Sequence, residues 1–318
     1  MTKMLPFAAL CAACLLSFDA AAAPAGRQSR SMQKLVEAAN RGDVSAQWKL
    51  GFRYKMREDY VNAAKWFRKA AARGDASAQY QLAQCYEQLV DENGRSLTPS
   101  RAARMALSLY RKAALQGNAS AQLELGRCYR DDTRGAYGDW QESLKWIRAA
   151  AEQGLPEAQV ELAECYQDEW YGVNYKESAK WYRKAAELHD PRGECGLAFA
   201  YLKGQGVERD PDKAAHWALL AAKQDHPTAQ LLVGSLYLDG IPKKDPAEAL
   251  KWLYKAATQD KKKDAAAQAK FFIGKCYEDG VGVPRNHEEA LKWYQASGLP
   301  AASKAIDRLR LPARRRRR

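Results

Sequence analysis

A nine-residue pattern, A-Q-x-x-L-G/A-x-x-Y, recurs along the chain and constrains its fold more than any other feature. Its copies, four full and three degenerate, occupy 46–54, 78–86, 121–129, 158–166, 193–201, 229–237 and 269–277. The starting positions of successive copies are separated by unequal but similar lengths of chain. Self-similarity at a period of roughly 30–45 residues predicts an array of helical repeats.

Within each copy, apolar residues recur at helical spacing. The second and fourth residues after the start of the copy are apolar throughout, as in Val160 and Leu162, and the fifth is always Gly or Ala. This spacing predicts one apolar face of an α-helix. Because Gly inside a helix costs about 1 kcal/mol relative to Ala, its recurrence predicts that a neighbouring helix approaches closely.

A second helical pattern follows each copy and centres on a large apolar residue. The central positions are Trp66, Leu109, Trp146, Trp181, Trp217, Trp252 and Trp293. Residues 32–43 match only this second pattern and 298–310 only the first. We therefore predict repeat units starting near 44, 76, 119, 156, 191, 227 and 267, between two half-units that cap the array. The second unit carries an insertion at 88–100.

These features resemble the Sel-one-like repeat family, a relative of the tetratricopeptide repeats, over about residues 32–310. The nine-residue pattern, the G-x-G-V turns at 204–207 and 280–283, and the A-x-K-W-x-x-K-A-A second helix carry the resemblance. It implies an all-α fold, a right-handed α/α superhelical solenoid of seven helix-pair repeats with a half-repeat cap at each end. It also implies that the first helices line a concave side and that the protein holds other proteins together, and it implies no chemistry.

Residues 1–25 have the features of a secretory signal peptide. Lys3 is basic, the apolar stretch from Leu5 to Phe18 is short for a membrane span, and small residues allow cleavage after Ala22 or Ala25. We expect 26–31 to be a short linker. Lipidation at Cys14 is disfavoured because Leu10, the leucine that precedes this cysteine, lies one position too far from it for a lipoprotein acylation site. The sequence thus predicts a periplasmic or extracellular protein with no transmembrane span.

The net charge is 51 − 38 = +13, and part of it is concentrated at the end of the chain. The tail, 311–318, is predicted to be disordered, and it ends in Arg314, Arg315, Arg316, Arg317 and Arg318. Clustered arginines can bind an anionic envelope surface. The tail has no aromatic residue for base stacking, which disfavours a specific nucleic-acid partner.

Four cysteines, Cys85, Cys128, Cys165 and Cys276, occupy the same position of their repeats. Equivalent positions of stacked helices should lie about 8–10 Å apart, whereas a disulfide needs Cα atoms closer than about 7 Å. We therefore predict no disulfide and interpret the cysteines as buried free thiols. Outside the predicted signal peptide the sequence has no C-x-x-C motif and no close Cys/His pair, so it predicts no metal site.

A hydrolase is an alternative, because Ser31-Met32-Gln33-Lys34 fits the S-x-x-K motif of serine β-lactamases. Its companion motifs S-D-N and K-T-G are absent. Ser31 also stands where an N-cap is expected, just before the first helix. The sequence therefore predicts no catalytic residue and no cofactor.

The positions three and six residues after the start of each copy vary and should face outward on the concave side. These candidate protein-binding residues are Lys49, Phe52, Gln81, Gln84, Glu124, Arg127, Glu161, Glu164, Phe199, Leu232, Ser235, Phe272 and Lys275. Phe199, Leu232 and Phe272 are apolar where solvent is expected. They could form a partner site, or they could belong to the core of a tighter superhelix.

The leading hypothesis is an exported, non-enzymatic scaffold that binds a protein or peptide through this concave face. One alternative is a hydrolase acting on the cell wall or on β-lactams. The other is an electrostatic adaptor that uses the arginine tail on an anionic envelope surface.

Overall fold

The computed structural model describes residues 25–131, 138–259 and 263–310, with side chains from residue 30 onward. The helices of this part of the chain are α1 Ala25–Asn40, α2 Val44–Lys55, α3 Tyr60–Ala71, α4 Ala76–Tyr86, α5 Pro99–Leu115, α6 Ala119–Arg130, α7 Trp140–Glu152, α8 Pro156–Cys165, α9 Tyr175–Glu187, α10 Pro191–Lys203, α11 Pro211–Lys223, α12 Pro227–Asp239, α13 Pro246–Ala257, α14 Lys263–Asp279, α15 His287–Ser297 and α16 Pro300–Arg310. A short 3₁₀ helix spans Glu169–Tyr171.

The predicted fold class, an all-α solenoid of helix-pair repeats, is confirmed. The chain forms two compact halves, 1–158 and 159–318. In the first half, consecutive helices from α1 to α7 pack on one another, and in the second half the same holds from α9 to α16. The even-numbered helices α2 to α14 are the first helices of the units, and the odd-numbered helices α3 to α15 are the second helices. None of the helices described is both long enough and apolar enough to cross a membrane.

Polar side chains fix where most helices begin. Asp43 Oδ1 accepts a hydrogen bond from the N–H of Ala46 at 2.8 Å, and Asp75 Oδ1 accepts one from Ala78 at 2.6 Å. His226 takes the same role before α12, where Nδ1 accepts from Ala229 N–H at 3.3 Å. These caps satisfy N–H groups that have no partner within the helix.

The small residue of the nine-residue pattern lies where the two helices of a unit meet. A Cβ added to Gly51 would lie 2.8 Å from the ring of Phe67, and one added to Gly126 would lie 2.6 Å from Ile147. The close approach predicted from the recurrence of Gly and Ala is therefore confirmed. A large side chain from the second helix occupies the space that a larger residue on the first helix would need.

The N-terminal boundary of the array differs from the prediction. Helix α1 begins at Ala25, so the expected linker 26–31 is helical, and Ser31 lies inside the helix instead of capping it. Residues 25–31 extend, at its N-terminal end, a helix whose Met32, Leu35, Val36 and Ala39 pack with Leu50 and Trp66 of the first unit. The remainder of the predicted signal peptide, 1–24, and the arginine tail, 311–318, lie outside the described residues.

The insertion of the second unit is an ordered loop that ends at Thr98, because Pro99 starts α5. Val90 and Ser96 form an antiparallel bridge, and Asp91 Oδ1 accepts hydrogen bonds from the N–H groups of Asn93 and Arg95. The Arg95 N–H is the main cause of the lowered pKa of Asp91. Leu97 is buried in the core of the first two units. The insertion is thus part of the packed structure.

Candidate functional site

The predicted binding residues follow the first helices, and we call this set the first-helix surface. Lys49, Glu164 and Lys275 are exposed, whereas Glu161 and Leu232 are buried. The others are half-buried: Phe52, Gln81, Gln84, Glu124, Arg127, Phe199, Ser235 and Phe272. Most of the set is therefore accessible to a partner.

In the first half of the chain, polar side chains connect neighbouring first helices. Lys55 of α2 donates hydrogen bonds to Gln81 Oε1 at 2.7 Å and Gln84 Oε1 at 2.5 Å, both on α4. Gln84 Nε2 in turn donates to the hydroxyl of Tyr80 at 2.6 Å. Partial burial lowers the pKa of Lys55 and raises the pKa of Tyr80 to about 12. The structure therefore brings Gln81 and Gln84 together in one network.

A charged cluster continues this surface on α6. Arg127 binds Glu124 on its own helix at 2.6 Å and Glu157 of the next first helix at 2.7 Å. In the second half, Glu164 lies 3.8 Å from Arg192 of α10. Exposed and half-exposed ion pairs contribute only about 0–1 kcal/mol each to stability. Their charges are consequently available to a partner at little cost in stability.

Two residues predicted to face outward, Glu161 and Leu232, do not. They are 3% and 7% exposed. The cause is the same in both helices: residues 158–163 of α8 and 229–234 of α12 are all buried. Because each residue turns the helix by about 100°, six consecutive buried residues mean that the helix is covered on every side.

The three apolar residues of the second half do not form one exposed patch. Leu232 lies in a buried cluster with Cys195 and Ala198, and Phe199 packs against the same cluster. Phe272 packs against a different cluster, centred on Leu253 and Ile273. Of the two interpretations left open by the sequence, the core role therefore holds for Leu232, and Phe199 and Phe272 are half in the core.

The sequence comparison decides the family, because the Sel1 repeat profile matches 44–75, 76–118, 119–155, 156–190, 191–226, 227–261 and 267–298. The chain belongs to the Sel1 repeat family. These matches begin at the residues where the pattern places the seven units. Sel1 repeat proteins are typically protein-interaction scaffolds.

Two curated proteins illustrate how widely Sel1 repeats occur. A segment of 120 residues is 32% identical to chitin synthase regulatory factor 3 of Schizosaccharomyces pombe, covering 36% of this chain and 12% of that protein. A segment of 107 residues is 36% identical to DAP3-binding cell death enhancer 1 of Rattus norvegicus, covering 33% of this chain and 20% of that protein. The matched segments thus span a fifth or less of these relatives.

A solved Sel1 repeat protein from Oxalobacter formigenes is similar over most of its length. It superposes with a TM-score of 0.67 at 28% identity, covering 80% of this chain and 97% of that protein. This similarity supports the all-α repeat fold.

The Gln of the Sel1 pattern has a structural role that sequence reasoning missed. Gln47, Gln79, Gln122 and Gln230 are buried, and each Nε2 donates to the carbonyl oxygen eight residues earlier, at the end of the preceding second helix. A Gln at the end of the next second helix binds the same side chain: Gln116 Nε2 lies 2.9 Å from Gln79 Oε1, and Gln153 Nε2 lies 2.7 Å from Gln122 Oε1. The sequence signal that could have indicated this role is the Gln that recurs beside the apolar face of the first helices.

Glu194 takes the place of this Gln in the fifth unit, which leads to a stability prediction. Its side chain is 1% exposed and accepts from Gln224 Nε2 at 2.9 Å, and burial raises its pKa. A carboxylate cannot donate to a helix carbonyl as Gln does. We expect Glu194→Gln to raise the free energy of unfolding at pH 7 by about 1 kcal/mol, the usual net value of a hydrogen bond.

The pH dependence of this substitution provides its control. A carboxyl whose pKa is raised by folding stabilises the folded state below its unfolded pKa of about 4.3 and loses that contribution as the pH rises. The advantage of Glu194→Gln, measured by urea unfolding, should therefore shrink as the pH falls from 7 through the raised folded-state pKa of Glu194, and it should be smallest at and below the unfolded pKa of about 4.3. An equal difference at pH 7 and in acid would contradict the interpretation.

The cysteines and the S-x-x-K motif differ in their surroundings, because the described cysteines are buried and the Ser and Lys of the motif are exposed. The cysteines of the described residues are buried thiols that form no disulfide, and burial raises the pKa of Cys85 and Cys276 to about 11, which keeps them protonated. Ser31 and Lys34 are both exposed on α1. Among the side chains that the structure describes, no group of three or more His, Cys, Asp or Glu residues could hold a metal ion.

Proposed function

We propose that the protein is a non-enzymatic scaffold that binds a protein or peptide partner along the first-helix surface. The observation that carries this proposal is the contrast between two sets of positions on the same helices. Residues such as Leu50, Leu82 and Leu125 repeat with the pattern and are buried. Lys49, Gln81 and Glu124, one residue earlier, differ from unit to unit and are exposed or half-buried.

The chemistry of this surface favours a partner with polar and charged groups. In the first half this surface presents the Lys55 network and the Glu124–Arg127–Glu157 cluster. Together they offer hydrogen-bond donors, hydrogen-bond acceptors and charges of both signs. Phe52 adds an apolar contact, since its ring stacks on Trp48 at a centroid distance of 5.2 Å. Pre-ordered helices lose little conformational entropy on binding, which favours affinity.

We also propose that this scaffold acts in the periplasm or outside the cell. The support is the signal-like composition of residues 1–25, with the basic Lys3 and the apolar stretch from Leu5 to Phe18. The arginines of the tail are proposed to add attraction to an anionic envelope surface.

Charge reversal on the first-helix surface tests the binding role. The variant Lys49→Glu/Glu164→Lys/Lys275→Glu changes three exposed residues of α2, α8 and α14. We expect it to lose at least about tenfold in affinity for the partner captured by the wild-type chain from envelope extract, with unchanged helical circular dichroism. A matched control reverses Lys180, Lys251 and Glu152, exposed residues of second helices. Equal loss in both variants would contradict the proposal.

A further inference from the structure

A groove in the first two units lies between the second helices α3 and α5, and the first helix α4 contributes to its lining. Its volume is about 460 Å³. Leu82 of α4 and Met105 and Leu109 of α5 contribute apolar lining, and the basic residues Arg68, Arg101, Arg104 and Lys112 also line it. It does not include any residue of the first-helix surface.

The groove exists where this unit departs from the repeat pattern. Leu109 occupies the position at which the other six units have Trp. In two of those units the indole packs against the preceding helix pair or cap: Trp66 is buried with Ala39 of α1, and Trp252 is buried with Ala218 of α11. Because the Leu side chain is smaller than an indole, it leaves open the space that Trp fills elsewhere.

Three of the four basic residues on the rim of the groove form no ion pair with a described residue. Arg68 pairs with Glu92 of the insertion loop. Arg101, Arg104 and Lys112 are exposed, and none of them has an acidic partner within salt-bridge distance in the described part of the chain. They follow α5 over about 16 Å at 1.5 Å per residue. An extended peptide of about five residues has this length.

We propose that this groove binds a short acidic peptide segment, with one apolar side chain on Leu82, Met105 and Leu109 and carboxylates at Arg101, Arg104 and Lys112. The recessed apolar floor requires an apolar side chain that enters the groove, which a polysaccharide lacks. A single-stranded nucleic acid needs exposed aromatic rings for stacking. Tyr86, the aromatic residue of the lining, is buried, and its hydroxyl donates to Glu92.

Fluorescence anisotropy with labelled heptapeptides tests this site on the full chain. One pool has Leu at its centre and Asp or Glu elsewhere, and a second pool has Ser at the centre. Burying a Leu side chain is worth more than the free energy of about 1.4 kcal/mol that corresponds to a tenfold change in affinity. We therefore expect the wild-type chain to bind the Leu pool at least about tenfold more tightly than the Ser pool.

Two variants locate the binding in the groove. Leu109→Trp fills the floor as in the other units, and Arg101→Glu/Arg104→Glu reverses the rim. Each should weaken binding of the Leu pool at least about tenfold, while Lys243→Glu/Lys244→Glu, on an exposed loop of another unit, should leave it unchanged. The rim variant keeps the test decisive even if Trp is not accommodated at 109.

Three results would overturn the proposal. The first is no binding of the Leu pool by the wild-type chain. The second is equal binding of the two pools. The third is binding of heparin or of phosphatidylglycerol vesicles that the rim variant loses and Leu109→Trp retains, because this would show that the rim is a general anion-binding surface. None of these results bears on the first-helix surface, which involves other residues.

Discussion

Replacing Phe67 by Ala is expected to lower the free energy of unfolding by about 3–5 kcal/mol, the range for loss of a fully buried aromatic side chain. Phe67 is 0% exposed and fills the space over Gly51, and its ring centroid lies 6.5 Å from that of Trp48. Because Gly51 has no side chain that could expand into the cavity, the loss should not be repaired locally.

The effect of Phe67→Ala should be concentrated in the first unit. In a repeat array each unit contacts only its neighbours, so hydrogen exchange should accelerate most over 44–86, and the urea midpoint should fall. Leu115→Ala is the control, because this side chain is 70% exposed and its loss should change stability little. Equal effects of the two substitutions would contradict the assigned packing.

Gln122→Leu should destabilise the chain by about 1–3 kcal/mol, even though Leu is the more hydrophobic residue. Gln122 Nε2 donates to the carbonyl of Ala114 at 3.2 Å, and its Oε1 accepts from Gln153 at 2.7 Å. Leucine removes both bonds and leaves a buried carbonyl with one partner fewer, which costs free energy. Urea unfolding monitored by circular dichroism measures the loss.

Gln295→Leu provides the comparison for Gln122→Leu, since Gln295 is an exposed residue of α15. It should change the unfolding midpoint little. If Gln122→Leu were neutral or stabilising, the buried Gln would contribute to the Sel1 pattern only through its size. Its hydrogen bonds to Ala114 of the preceding unit and to Gln153 of its own unit would then be irrelevant to stability.

The fold was predictable because one local pattern occurs seven times in the sequence. Each feature of the pattern determines a contact within a single unit or with its neighbour. Examples are the helical spacing of Val160 and Leu162 and the small residue at Gly51. The start of α1 was not predictable from the same pattern. Residues 25–31 precede the repeats, and they continue a helix whose packing against the first unit begins at Met32.

The candidate site was only partly predictable, because exposure depends on neighbours that a position within the repeat does not specify. Glu124 and Glu161 hold the same position, yet Glu124 is half-buried and Glu161 is fully buried. The groove beside Leu109 was visible in the sequence as one missing Trp. Its basic residues Arg101, Arg104 and Lys112 lie on α5, but the groove that they border forms only when α5 is placed beside α3.

Site-specific photo-cross-linking tests the central claim, that partners bind along the first-helix surface. A benzophenone amino acid is placed at Lys49, Glu164 or Lys275, and for comparison at the exposed positions Lys180, Lys251 and Lys292 of second helices. The scaffold account predicts that partner adducts form from the first three positions and not from the other three. Adducts confined to the second-helix positions, or equal yields from both sets, would contradict it.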